Sequence, residues 1–132
     1  MEIKFRWVGL NKMHNTVSIN TDLTIEKILE RDYMSFFCRS NRTESGNCNF
    51  LSEDLFTGLV DKNGMEIYAG DILNFGGKSN VPVVFENGAF TIWEEPIGWD
   101  YDSESGIRIY DLKFKAEVIG NIYENPEILL TI

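Results

Sequence analysis

Basic residues are scarce in this chain. Of its 132 residues, 12 are Lys or Arg and 21 are Asp or Glu, which gives a net charge of −9 with histidine neutral. Nucleic-acid-binding domains usually carry a basic surface that neutralises phosphates, and anionic membranes attract basic segments. The composition therefore argues against a conventional DNA-binding or RNA-binding domain and against adsorption to a membrane.

Cysteine and histidine are also few. Cys38 and Cys48 form no CxxC pair, and His14 is the single histidine. A structural zinc site needs four such ligands, so we predict neither a metal nor a cofactor, and we expect two reduced thiols. The sequence contains no complete phosphate-binding loop or nucleophile elbow. It therefore indicates no catalytic residues.

Long apolar runs are missing as well. No segment approaches the length needed to span a bilayer, and residues Met1 to Trp7 lack the apolar core of a signal peptide. We therefore expect a cytoplasmic protein.

Aromatic residues, in contrast, are abundant at 13%, and apolar residues make up 43% of the chain. This composition favours a packed interior rich in strands. Ile3, Phe5 and Trp7 alternate with Lys4 and Arg6, which predicts a half-buried strand.

Further elements are expected along the first half of the chain. They are a turn over Gly9–Asn15, a strand over Thr16–Asn20, a helix capped by Asn20–Asp22 and running from Leu23 to about Arg31, a strand over Tyr33–Cys38, and a polar loop over Arg39–Asn49.

Turn signals dominate the second half. Asp61–Gly64 and Glu86–Gly88 both contain Asn-Gly, which favours tight hairpin turns. The second hairpin would join strands over Val81–Phe85 and Ala89–Trp93, and another strand is predicted over Ile107–Ala116. Gly120 is expected to form a bulge, and Asn125-Pro126 predicts the start of a short helix. We therefore predict a mainly β, β-rich α+β fold in one domain over residues 1–132, either a compact bent sheet or an SH3-like barrel with one or two short helices.

Four segments together resemble one known family. They are Ile3-Lys4-Phe5-Arg6, Thr57-Gly58-Leu59 with the run from Asp61 to Ile72, Val84 to Phe90, and Glu117 to Glu127. In this order and spacing they resemble the YopX family, which is encoded by bacteriophages and prophages. The resemblance implies a β-rich barrel fold, and it carries over no catalytic residue.

The residues shared with that family have mainly structural explanations. Glycines there would supply positive φ or close approach, and Asp and Asn would cap turns. The proposed turn residues are Gly58, Asp61, Asn63, Gly64, Gly70, Asp71, Asn87, Gly88, Gly120, Asn125 and Pro126. The expected core residues are Ile67, Ile72, Phe85, Phe90, Val118 and Ile122.

The segment Glu94–Gly106 holds five acids and no Lys or Arg. Asp100-x-Asp102-x-Glu104 resembles the start of a calcium loop, but Ser105 replaces the required glycine, so we predict no metal there. Exposed aromatics beside carboxylates can bind proteins. The candidate partner-binding residues are Trp93, Trp99, Tyr101, Asp100 and Asp102; alternatively, the tryptophans cover one end of a barrel.

These observations predict a non-enzymatic phage or prophage accessory protein that binds a host or phage macromolecule in the bacterial cytoplasm and forms a homo-oligomer. Three alternatives remain: a carboxylate-dependent hydrolase, a nucleic-acid-binding module and an acidic mimic of DNA. The nucleic-acid module would need its basic side chains on one face, namely those of Lys4, Arg6, Arg39, Arg42, Lys113 and Lys115.

Overall fold

The computed structural model describes residues 3–11, 16–29, 37, 50–77, 80–93, 95–98, 107–108, 112–113 and 115–130. The chain divides into two compact units, residues 1–55 and 56–132. The prediction of a single domain stays a prediction.

The first unit is built on antiparallel strands. β1 (Lys4–Asn11) pairs with β2 (Thr16–Thr24) and with the first half of β3 (Phe50–Val60). A shift in register between Phe5 and Trp7 marks a bulge in the β1–β2 pair. Trp7 packs edge-on against the ring of Phe37, with ring centroids 5.3 Å apart, so the core of this unit is aromatic.

Two basic side chains of β1 are buried, against the predicted alternation. Lys4 and Arg6 are each only 5% exposed. Arg6 donates from Nε and Nη2 to Asp54 Oδ2 at 3.2 and 3.0 Å, and Lys4 Nζ donates to Asp22 Oδ1 at 2.8 Å. The hydrogen bond from Lys4 and its positive charge hold the pKa of Asp22 below its usual value. The predicted strand is confirmed, but placing Lys4 and Arg6 in solvent was wrong, because carboxylates accept the buried cations. The extra residue of the bulge lies on β2, where Asp22 has a φ of +62°.

The predicted turn at Gly9 and the predicted helix also need correction. Gly9 to Asn11 belong to β1, and β2 continues to Thr24. The helix, α1, covers only Ile25–Ile28, and Thr24 caps it by accepting a hydrogen bond from the Lys27 N–H. Strand pairing with β1 extends through the proposed capping segment, so the cap lies further along the chain.

Several predictions in the first half fall outside the described residues. They concern His14, Cys38, Cys48, the polar loop and most of the strand over Tyr33–Cys38. At Phe37 the backbone is helical, so the strand prediction is wrong at that residue.

The second unit contains the remaining strands. The second half of β3 pairs with β4 (Glu66–Tyr68). A three-stranded antiparallel sheet follows in the order β11-β5-β6, formed by β5 (Asp71–Asn74), β6 (Asn80–Pro82) and β11 (Glu117–Asn121). A four-stranded sheet in the order β10-β9-β8-β7 comprises β7 (Val84–Glu86), β8 (Ala89–Ile92), β9 (Glu95–Gly98) and β10 (Ile107–Arg108).

The core of the second unit is aliphatic. Its buried cluster consists of Ile67, Leu73, Val81, Val83, Ile92, Leu112 and Ala116. Leu112 and Lys113 have helical backbone, so the strand predicted over Ile107–Ala116 is wrong at those positions, although Leu112 does face the core. A 3-10 helix covers Pro126–Leu130, as the Asn-Pro signal predicted.

The mainly β class is confirmed. Among the described residues, no helix is both long enough and apolar enough to cross a membrane.

Candidate protein-binding site

One buried carboxylate organises the connection between β3 and β4. Asp61 is 2% exposed, and its Oδ1 accepts hydrogen bonds from the N–H groups of Asn63 and Met65 at 2.8 and 2.9 Å. Its Oδ2 accepts from the Val118 N–H at 2.9 Å. Gly64 completes this turn with a φ of +79°. Because three backbone donors occupy the carboxylate, its role is structural.

A second buried carboxylate lies at the turn between β4 and β5. Asp71 Oδ2 accepts from the Tyr68 N–H at 2.8 Å, and its backbone oxygen accepts from the Val83 N–H at 2.8 Å. Gly70, with a φ of +91°, donates its N–H to the Val83 oxygen at 2.7 Å. This turn therefore fixes the chain just before β7.

Other predicted turn residues lie at a positive φ, at a bulge or beside a hydrogen-bonded bend. Gly58 has a φ of +83° within β3. A register shift between Val118 and Gly120 forms the bulge expected in β11. Asn125 Oδ1 accepts from the Asn121 N–H at 3.3 Å, just before the 3-10 helix that Pro126 begins.

The hairpin of β7 and β8 turns at Asn87 and Gly88, whose φ values are +53° and +81°. Two positive φ values are the requirement of a type I′ turn. In the strand register, Glu86 pairs with Ala89 and Phe85 with Phe90. Alternation then gives Val84 and Glu86 one face and Phe85 the other.

This hairpin begins later than predicted. The strand expected over Val81–Phe85 is two strands, because β6 ends at Pro82 and β7 starts at Val84. The N–H and C=O of Val83 are both hydrogen-bonded to the Gly70–Asp71 turn. Val83 therefore separates the β5–β6 pairing from the β7–β8 pairing.

Large apolar side chains remain exposed on the hairpin. Phe85 is 48% exposed and Val84 is 39% exposed, and the Phe85 ring lies 4.9 Å from that of Phe90. The prediction that Phe85 fills the core is therefore wrong, and the same holds for Ile122, which is also exposed. Apolar area left in water on a protein surface often marks a contact site.

A groove accompanies these side chains. It has a volume of about 320 Å³ and is lined by Val81, Pro82, Val84, Glu86, Thr91 and Trp93. Glu86 is the ionisable residue among them, and its Oε1 accepts a hydrogen bond from Thr91 Oγ1 at 3.3 Å. The volume is near the lower end of ligand pockets, which start at about 300 Å³, and it suits one large side chain.

Trp93 forms one wall of the groove in a strained conformation. Its φ is +53°, a value unusual for a bulky residue. The residue is 52% exposed, and its ring lies 5.4 Å from the ring of Phe75. Strained, exposed residues of this kind cluster at functional sites.

Comparison with known proteins assigns the family. The family model described as YopX protein matches residues 4–130. The chain belongs to the YopX family. The chain is also similar to the crystal structure of protein EF1440 from Enterococcus faecalis, at 20% identity with a TM-score of 0.53, covering 98% of this chain and 99% of that one. At this identity the likeness concerns the fold alone. No curated protein matches the sequence.

For this YopX-family chain, the structure places one predicted partner-binding residue, Trp93, at the groove. The other four, Trp99, Asp100, Tyr101 and Asp102, lie outside the described residues. The sequence analysis missed Val84 and Thr91. The unbroken apolar run from Val81 to Phe85 was the available signal, because it exceeds what one alternating strand can bury.

In the sequence, the groove residues of the YopX-family chain adjoin an acidic segment. Between Lys78 and Arg108 the sequence contains no basic residue and six acids, which are Glu86, Glu94, Glu95, Asp100, Asp102 and Glu104. Within the described ranges, no three His, Cys, Asp or Glu residues are grouped to hold a metal ion.

Proposed function

We propose that this protein is a phage or prophage accessory protein that acts in the bacterial cytoplasm by binding another protein through its hairpin surface. We define the hairpin surface as Val84, Glu86, Thr91 and Trp93, which line the groove, together with the edge of β7 at Phe85. The observation that carries the proposal is the half-exposed, strained Trp93 on the wall of an apolar groove. Tryptophan is among the residues most often found at the energetic centre of protein interfaces.

The proposal is supported by the energy of the exposed groups. An apolar side chain left in water forgoes roughly 1.5–3 kcal/mol that full burial would provide. Val84 and Trp93 line one groove, beside a hairpin turn that is well defined. A partner that covers them gains this energy without reorganising the backbone, and such preorganisation favours binding.

The hydrolase alternative has less support among the described residues. Two-carboxylate hydrolysis needs two acids held at a set separation across a cleft. The groove offers Glu86 as its described acid, while Asp61 and Asp71 are engaged by backbone N–H groups. These buried carboxylates hold turns together.

Of the six basic residues that the nucleic-acid module would need on one face, Lys113 and Lys115 are exposed among the described residues. Lys4 and Arg6 are buried and paired with acids, so they do not contribute to a basic face. Arg39 and Arg42 lie outside the described residues. For a DNA mimic the net charge of −9 is permissive, but the hairpin surface is apolar at its centre.

The test is affinity capture of the tagged protein from lysate of prophage-induced host cells, using wild type, Trp93→Ala and Met65→Ala. Met65 is an exposed apolar residue of the same unit and lies in the β3–β4 turn, so its variant is the matched control. We expect one protein to be recovered in stoichiometric amount with wild type and with Met65→Ala, and to be lost with Trp93→Ala.

Circular dichroism and thermal melting must first show that both variants fold like wild type. Equal recovery of the same protein with Trp93→Ala would place the contact elsewhere and contradict the proposal. Recovery of nucleic acid with no protein would favour the nucleic-acid alternative instead.

A further inference from the structure

The open edge of β7 belongs to the hairpin surface. Among the described strands, β7 stands at the end of the order β10-β9-β8-β7, and all three of its residues are exposed. Glu86 and Ala89 flank the two-residue turn, so they form a hydrogen-bonded pair, and the next pair, Phe85 with Phe90, is non-hydrogen-bonded. The N–H and C=O of Phe85 therefore point away from β8, towards the open edge.

This edge is short. The backbone groups of Val83 are already bonded to Gly70 and Asp71, and the turn begins at Asn87. One added strand would therefore form about two new backbone hydrogen bonds, each worth roughly 1 kcal/mol net. Most of the affinity must come from a side chain that fills the groove beside Val84.

The charge of the surface limits the occupant. Glu86 lines the groove, and the chain as a whole carries a net charge of −9. Complementary charge speeds encounter and fixes register at protein interfaces. A second copy of this chain would bring Glu86 and the same net charge of −9 against itself, which like charges oppose.

We propose, on the basis of the proposed function, that the hairpin surface binds an extended, basic segment of a partner protein, which adds a strand to the edge of β7. Side chains two positions apart lie on the same face of a strand. Val84 and Glu86 have this spacing, so the bound segment carries a large apolar residue and, two positions away, a Lys or Arg. The apolar side chain enters the groove and the cation faces Glu86.

The first experiment selects a displayed library of random peptides against the wild-type protein. We expect the enriched peptides to share an apolar–x–Lys/Arg or Lys/Arg–x–apolar pattern. A synthetic peptide of the enriched sequence is then titrated by fluorescence anisotropy. Absence of an enriched pattern, or an acidic one, overturns the proposal.

Charge is tested by reversal. Glu86→Lys should lower the affinity for the basic peptide by about fivefold to tenfold, because an attraction is replaced by a repulsion of similar size. A peptide in which Glu replaces the paired Lys or Arg should regain affinity for Glu86→Lys. If the charge-reversed peptide does not regain affinity, the proposed contact between Glu86 and the partner's cation is contradicted.

Strand addition is tested at the backbone. Phe85→Pro removes the N–H that faces the edge, a position where proline is tolerated, and Phe85→Leu keeps it. We expect about tenfold weaker binding for the proline variant than for the leucine variant, since a hydrogen bond and its register are lost. Met65→Ala should bind like wild type, and melting curves must show that Phe85→Pro folds.

The outcomes separate the two proposals. If Trp93→Ala abolishes binding while Phe85→Pro and Glu86→Lys bind like wild type, the hairpin surface binds a protein but not by strand addition. If Trp93→Ala also binds like wild type, both proposals fail. A dimer seen by sedimentation velocity that Phe85→Pro dissociates would show that a second copy occupies the edge, which overturns the proposal.

Discussion

Asp61 connects two parts of the second unit, residues 56–132, that are far apart in the sequence. Its carboxylate joins the turn between β3 and β4 to the first residues of β11, through the Val118 N–H. A second contact runs alongside, from the Lys62 N–H to the Ala116 oxygen at 2.9 Å. Burial of Asp61 at 2% exposure makes these bonds costly to lose, because an unsatisfied buried acceptor keeps its desolvation penalty.

Asp61→Asn tests this role. The amide group has one oxygen in place of two, so its NH₂ must face either the turn donors or the Val118 N–H. We expect the free energy of unfolding to fall by about 1–3 kcal/mol, measured by urea denaturation. Lys62→Ala is the control, since the exposed Lys62–Glu117 ion pair should change stability by less than about 1 kcal/mol. Equal losses in the two variants would contradict the structural role.

Individual residues differ in how far the sequence could predict them. Asp61 and Asn63 were predicted to cap a turn because the chemistry of Asp-Lys-Asn-Gly is local. The burial of Arg6 was missed because its partner Asp54 lies far away in sequence, on a strand that only pairing brings near. Pattern alone assigns a charged residue to solvent, and only the fold supplies the buried carboxylate.

Among the elements, hairpin turns were predicted well and the ends of strands were not. The Asn87-Gly88 turn follows from two residues that accept positive φ. The helix expected from Leu23 was wrong because β2 continues to Thr24 by pairing with β1, and strand pairing outweighs the weak helix signal of β-branched residues. The strand expected over Val81–Phe85 was wrong because a bonded Val83 divides it.

The junction between β11 and the 3-10 helix gives a prediction at this scale. A Cβ on Gly120 would lie 2.6 Å from Asn125 Oδ1, the atom that accepts from the Asn121 N–H. Gly120→Ala should therefore displace Asn125 and lower the free energy of unfolding by about 1–3 kcal/mol. Gly77→Ala is the matched control, because its Cβ would meet nothing within 4 Å. Comparable urea midpoints for the two variants would show that the junction adapts freely.

For the molecule as a whole, composition predicted the mainly β class, and the ordered motifs predicted the family. The groove could not be predicted, because β6, β7 and β8 of two sheets contribute to it. Trp93 was predicted as a binding residue from its acidic neighbourhood, yet its strained backbone and its contact with Phe75 appear only in three dimensions. The predicted homo-oligomer stays a prediction.

The net charge of the whole molecule acts over a longer distance than any contact in the groove. A net charge of −9 attracts a basic segment before contact, and salt screens this attraction over about 10 Å at 0.1 M ionic strength. In stopped-flow measurements, the association rate constant of the basic peptide should fall by roughly tenfold or more from low to high salt. A peptide with Gln in place of each Lys or Arg should show almost no salt dependence.

The same measurement separates the whole-molecule field from the local contact. Glu86→Lys leaves most of the negative charge in place, so it should change the association rate little and raise the dissociation rate, because local contacts act mainly on dissociation. If the association rate constants of the basic peptide and the Gln peptide were equally insensitive to salt, the predicted long-range attraction by the net charge would be contradicted. The proposed contact of Glu86 with the partner's cation would then be tested by the dissociation rate alone.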